Sequence, residues 1–137
     1  MHGQYFGPPS TDGAWAELYR NMLIREAAGG TLFLGQAVPR RWLRDGKRIE
    51  IERAPTDYGL LSLRIESRAA RGEIEASVSI EQRKTPQVLL VRLRHPDAKP
   101  IRAVVVNGSP YGGFDAKQEW IRIPAPRLAK YTIIARY

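Results

Sequence analysis

The chain predicts a mainly β fold: an antiparallel, jelly-roll-like β-sandwich of about eight short strands with one N-terminal amphipathic helix. Three observations predict it. From Thr31 onward apolar and polar residues alternate with a period of two, whereas the segment before Gly29 keeps a helical period. Turn signals then recur at short intervals: Asp45-Gly46, Arg71-Gly72, Asn107-Gly108 and Gly112-Gly113, with Pro86, Pro96, Pro100, Pro110, Pro124 and Pro126 between them. Finally, a strand with one apolar face must bury it, and two such sheets packed together do so.

The elements follow in chain order. Residues 1–10, "MHGQYFGPPS", are rich in Gly and Pro and read as an extended arm. Ser10, Thr11 and Asp12 are capping types ahead of a helix expected over 12–28. Trp15, Leu18, Tyr19, Met22 and Leu23 share one face of it, and Gly29-Gly30 is its expected stop. "TLFLGQAV" is the first strand. "KRIEIE" puts Ile49 and Ile51 on one face and Glu50 and Glu52 on the other. "LLSLRIES" turns Leu61, Leu63 and Ile65 inward, and "GEIEASVSIE" does the same with Ile74, Ala76, Val78 and Ile80. "QVLLVRLR", "IRAVVVNG", "EWIRIP" and "YTIIARY" complete the set. Residues 11–137 thus form a single domain, large enough to bury an ordinary core without staples.

Composition bounds the function. The chain has 137 residues, with a hydrophobic share of 43% and a charged share of 26%, values of a globular rather than a disordered protein. No apolar run approaches the ~20 residues of a membrane helix, so no membrane partner is expected. The N-terminus lacks the basic and apolar regions of a secretory signal, which leaves a cytoplasmic location as the default. There is no cysteine, hence no disulfide and no thiolate metal site. The net charge of +8 raises the question of nucleic acid. The arginines, however, are scattered: Arg64, Arg92, Arg94, Arg122 and Arg136 alternate with apolar residues on separate strands. Solvated sheet faces carry charge in this way, and nucleic acid is not the expected partner.

The stretch "LYRNMLIRE…GGTLFLGQAVPRRWLRDGKRIEIERAPTDYGLLSLRIES", with the later "VLLVRLRHP…IRAVVVNG…F", resembles the C-terminal β-sandwich domain of six-hairpin (α/α)6 glycosidase superfamily proteins. The matching elements are Tyr19 to Glu26, Leu32 to Leu34, Pro39, Trp42-Leu43, Gly46, Ala54-Pro55-Thr56, Gly59, Ser67, Arg92 to Pro96 and Val106-Asn107-Gly108. In such proteins a helix leads from a catalytic helical barrel into a jelly-roll-like sandwich. The barrel holds the catalytic carboxylates, and this chain does not contain it. The resemblance therefore implies a non-catalytic accessory or interaction domain of a glycoside-hydrolase-type protein, partnered by a helical-barrel catalytic domain where one is joined to it. No catalytic residue is carried over. An uncovered helix stripe would make homodimerisation a natural way to hide apolar surface.

The densest cluster of unusual residues is Pro39 to Gly59. Structurally it reads as a corner. Pro39 ends a strand, Trp42 and Leu43 fold over the end of the sandwich, Asp45-Gly46 turns, and Thr56 or Asp57 bonds the backbone that follows. Functionally the same residues suit carbohydrate, which binds by stacking its C–H surface on aromatic faces while polar groups take the hydroxyls. Trp42, Tyr58, Asp57 and Arg41 form one such group. Trp120, opposite Ile121 and Ile123 in "EWIRIP", forms a second, and Tyr111 with Phe114 in "NGSPYGGFD" a third.

Convergent catalytic groups are scarce. His2 and His95 are the two histidines, weak candidates for a metal site that would serve a small polysaccharide-active enzyme. Ser109, His95 and Asp97 or Asp115 make a triad on paper only, because "NGSPYG" lacks the glycine two residues before the serine of a nucleophile elbow. Asp45, Asp57, Asp115 and Glu119 have no spacing that pairs them for glycoside hydrolysis. Asn107-Gly108-Ser109 is formally a glycosylation sequon. No catalytic residue, cofactor or metal is assigned.

Overall fold

A computed structural model describes residues 19–137. The expected arm over 1–10, His2, the expected capping residues and the expected helical positions before Tyr19, Trp15 and Leu18 among them, lie outside the described residues. Eleven strands follow in order: β1 (Ile24–Ala27), β2 (Thr31–Leu34), β3 (Arg48–Thr56), β4 (Gly59–Arg68), β5 (Glu73–Gln82), β6 (Val88–Arg92), β7 (Ala103–Val106), β8 (Ser109–Tyr111), β9 (Phe114–Asp115), β10 (Trp120–Pro124) and β11 (Lys130–Arg136). They make two sheets, one ordered β1-β2-β6-β10-β9 and the other β3-β4-β5-β11-β7-β8. Every pairing is antiparallel except β2 with β6, which is parallel.

Alternation decides the core. Leu32, Leu34, Leu89, Val91 and Ile121 of the five-stranded sheet and Ile49, Leu63, Ile65, Ile74, Val78 and Ile133 of the six-stranded sheet belong to one buried cluster. The strand between each pair of these residues turns its neighbour to water, as on β4, where buried Leu61, Leu63 and Ile65 flank Ser62 and Arg64. The predicted β-sandwich is therefore the fold. Among the described residues no helix is long and apolar enough to cross a membrane.

Several expectations need correction. The helix expected over 12–28 ends at Leu23, and Ile24–Ala27 is strand β1. Leu23 and Ile24 are both buried, so a helical face and a strand face meet there on the same apolar surface. Helical and extended periods coincide over so short a span, and pairing with β2 decides for the strand. Gly29 and Gly30, both at φ +83°, form the β1–β2 hairpin turn rather than a helix stop. "TLFLGQAV" is strand only through Leu34, because Gly35 at φ +74° turns the chain. "NGSPYGGFD" contributes two short strands, β8 and β9, that read as loop. Of the helix stripe, Tyr19 and Leu23 are buried in this chain's own core and Met22 packs against it. At these positions the motive for dimerisation is already met.

The corner from Pro39 to Gly59 takes its structural form, except that Pro39 leads into a 3₁₀ turn and does not end the strand, which stops at Leu34. Arg40–Leu43 is a 3₁₀ turn that buries Trp42 and Leu43. The Ser67 hydroxyl donates to the Leu43 carbonyl at 2.6 Å, and the Asp45 carboxylate accepts the Ala70 N–H at 2.9 Å. Thr56 closes the β3–β4 turn, its hydroxyl donating to the Gly59 carbonyl at 2.7 Å and accepting the Tyr58 N–H at 3.1 Å. Gly59 sits at φ +129°, where an added Cβ would lie 1.9 Å from the Glu81 carbonyl oxygen. Gly59→Ala should therefore cost about 3 kcal/mol or more, combining backbone strain with a clash that only strand displacement relieves. Chemical denaturation should show a lower midpoint at unchanged slope, and a midpoint equal to that of the parent would contradict the geometry.

Candidate functional site

The outer face of the five-stranded sheet carries an aromatic groove. Register builds it: Arg25 lies opposite Phe33, Phe33 opposite Leu90, and Leu90 opposite Arg122, in one row across β1, β2, β6 and β10. In a second row Trp120 of β10 lies between Arg92 of β6 and Asp115 of β9. Since the residues either side of Phe33, Leu90 and Trp120 face the core, these three must face out. The Phe33 and Trp120 rings meet edge to face at 5.5 Å between centroids.

Part of the wall comes from the other sheet. After β8 the chain crosses through Gly112-Gly113 to β9, which brings Tyr111 and Phe114 to the groove. The Tyr111 hydroxyl donates to the Arg122 carbonyl. Gly113 lies against the Tyr111 ring so closely that a Cβ would come within 2.7 Å of it. Burial raises the Tyr111 phenol above its ordinary value, with Arg122 pulling the other way, so the hydroxyl stays a donor. Together with Gln36, Asp115 and Pro124 these residues enclose a cavity of about 730 Å³.

Guanidinium groups flank the rings. Arg25 lies over Phe33 at 4.5 Å from its centroid, and Arg92 over Trp120 at 5.0 Å. Arg25 is held by Gln36 at 2.6 Å and Arg92 by the Gln118 carbonyl at 3.1 Å. An apolar floor with aromatic walls and fixed polar donors can hold a flat, hydroxylated ring.

Behind Trp120 lies an ion pair between a buried carboxylate and a part-exposed guanidinium. Glu119 is 2% exposed, and its carboxylate accepts both terminal nitrogens of Arg40, at 2.6 and 3.0 Å, and the His95 N–H at 2.7 Å. The hydrogen bond that Arg40 donates to Glu119 raises the Arg40 pKa, which keeps that guanidinium charged. Glu119 has φ +62°, a left-handed conformation that turns the chain from the Asp115–Gln118 loop into β10. The same loop is closed by the Asp115 carboxylate, which accepts the N–H groups of Lys117 and Gln118. The clamp thus sets the direction in which Trp120 leaves it.

The structure unites two of the three aromatic groups that spacing kept apart, Trp120 with Tyr111 and Phe114, and dissolves the first. Trp42 is 8% exposed and packs at 6.0 Å on Tyr19, so it presents no platform. Tyr58 is also buried, its phenol raised by burial and then by Glu26 and Asp57. Asp57 is exposed at the turn tip, and Arg41 lines a separate recess with Arg44 and Lys99. Phe33, Leu90, Arg25 and Gln36 were not foreseen. Alternation in "TLFL" does turn Phe33 outward, but only the parallel β2–β6 pairing brings it to Trp120.

His95 belongs to the core rather than to a site. It is 2% exposed, its Nδ1 accepts the Asp97 N–H at 3.0 Å, and its ring lies 5.0 Å from that of Tyr137. Among the described residues no three acidic or imidazole side chains gather as metal ligands. Compared with known proteins, the chain matches no family model and no curated protein.

Two outcomes follow for the clamp. Glu119→Gln should cost about 2–4 kcal/mol, because it removes the charge from the buried half of a bidentate pair. A denaturation midpoint equal to that of the parent would show that the pair contributes nothing. Tyr137, which donates to the Leu93 carbonyl, has its phenol pushed far above its ordinary value by burial first and by Glu119 second. The folded state then keeps a proton that the unfolded chain releases near pH ~10. Its stabilisation is complete below that pH and is lost as pH rises further. Tyr137→Phe should flatten part of the alkaline decline in melting temperature, and an unchanged decline would assign it elsewhere.

Proposed function

We propose that this chain is a non-catalytic binding domain, an accessory β-sandwich that takes carbohydrate in the groove between Phe33, Tyr111 and Trp120. The observation that carries this reading is the convergence of aromatic side chains from two sheets around one outward-facing cavity of about 730 Å³. A saccharide offers C–H faces to such rings and hydroxyls to the polar rim, where Gln36, Asp115 and Arg122 stand. The role agrees with the resemblance to the sandwich domain of glycoside-hydrolase-type proteins, whose chemistry resides on a different domain. The metal-assisted alternative has less support, since His95 is buried and already accepts a backbone N–H.

Trp120→Ala and Phe33→Ala should each weaken retention on a binding polysaccharide about tenfold or more, with little change in melting temperature, because both rings are part-exposed. Affinity electrophoresis against a panel of neutral and acidic soluble polysaccharides measures this. Trp42→Ala should behave in the opposite way, losing about 3–5 kcal/mol of stability while the folded fraction keeps its retention. If no polysaccharide in the panel retards the parent protein, the reading fails.

A further inference from the structure

We infer that the groove selects an anionic saccharide, one bearing uronate or sulfate groups. This rests on the carbohydrate reading and names the class of ligand. The argument is where charge lies on the two sheets. On the outer face of the six-stranded sheet arginine and glutamate are matched. Arg48 pairs with Glu50, Arg64 with Glu66, Arg68 with Glu75, Arg136 with Glu73, and Arg53 with Glu81. That face is close to neutral.

The five-stranded face is different. Arg25, Arg92 and Arg122 stand around the groove, and among the described residues none of them takes part in a salt bridge. Among the strand residues that share their outward direction only Asp115, opposite Trp120, is acidic. Its Oδ1 accepts two N–H groups of its own loop, those of Lys117 and Gln118. Arg25 and Arg92 lie on aromatic rings, which holds their planar donors beside the cavity with other N–H groups still available. A guanidinium so placed is a bidentate receptor for a carboxylate or sulfate. A sugar ring seated on Trp120 or Phe33 would put its acidic substituent within the reach of these donors.

Single-stranded nucleic acid also joins stacking to negative charge, but it needs a basic track that follows a long backbone. Here Arg25, Arg92 and Arg122 gather at one groove, whereas the strand arginines of the other sheet, Arg48, Arg53, Arg64, Arg68 and Arg136, are all paired. The geometry therefore favours a short stretch of acidic polysaccharide.

The test compares polygalacturonate with the same polymer after chemical reduction of its carboxylates to neutral sugars, by calorimetry on the full chain at two salt concentrations. The acidic polymer should bind at least tenfold more tightly than the reduced one, with the advantage shrinking as salt rises. Arg92→Gln and Arg122→Gln should each remove about fivefold from the acidic polymer and at most about twofold from the reduced one. Arg71→Gln, which removes the same charge away from the groove, should have no such effect. Sulfated and uronate polymers in parallel distinguish the two anions. Equal binding of acidic and reduced polymers would overturn the charge inference while sparing the carbohydrate reading. Binding of neither, in protein shown to be folded, would sink both. An equal loss in Arg71→Gln would reduce the effect to net charge, and tighter binding of a single-stranded oligonucleotide would overturn the choice of saccharide.

Discussion

A pleated strand that buries one side chain must show the next to solvent, and this constraint organises the molecule. Each strand of the five-stranded sheet that reaches the groove is anchored by fully buried neighbours: Leu32 and Leu34 beside Phe33, Leu89 and Val91 beside Leu90, Ile121 beside Trp120. None of these strands can slip by one residue without moving leucine and isoleucine to water and an aromatic ring or arginine into the core. The exposure of Phe33 and Trp120 is thus enforced by the packing beneath them. The groove needs no scaffold of its own.

The constraint sets faces but not ends, and the ends are where polar chemistry takes over. Glu119 binds three parts of the chain at once: its carboxylate takes Arg40 on the 3₁₀ turn and the backbone N–H of His95 beyond β6, and its own N–H donates to the Asp115 carbonyl in the loop before β10. A buried carboxylate is costly unless its lone pairs are filled, and here they are filled by charge-assisted donors. The same residue holds a left-handed backbone that a side-chain-bearing residue adopts at a cost of order 1 kcal/mol. Tyr137, donating to Leu93, closes the cluster from the last residue of the chain. Polar satisfaction at this end and apolar alternation across the sheets are complementary ways of fixing where β10 begins.

What was legible in the sequence follows this division. Alternation displayed the β character of Ile49, Leu63, Ile74 and Leu89 and the outward direction of Trp120, because a period of two is written locally. The boundary at Leu23–Ile24 was not legible. Leu23 and Ile24 satisfy a helical stripe and a strand pair equally well, and the outcome depends on β2, which lies in the following residues. Pairing across the sheet was equally hidden. Phe33 and Trp120 are far apart in the chain, and no local signal announces a parallel β2–β6 pair in a fold dominated by antiparallel ones. The corner misled in the other direction: Trp42, Tyr58 and Asp57 are close in sequence, yet the 3₁₀ turn sends Trp42 inward and Asp57 outward.

The two outer faces show why net charge alone is a poor guide to a basic β protein. A surplus of arginine distributed evenly would give a weak field over the whole surface, screened within about 10 Å at ordinary salt. In this sandwich cross-strand and near-neighbour pairs neutralise one face, because arginine and glutamate alternate on β3 and β4 and the glutamates of β5 take further arginines. The strands of the other sheet carry no glutamate in matching positions, so its arginines rest instead on aromatic rings. A guanidinium over a ring keeps its in-plane donors free to meet an acceptor, whereas one engaged with a carboxylate has spent them. The arrangement of partners, more than the number of positive charges, determines which surface of this protein can recognise an anion.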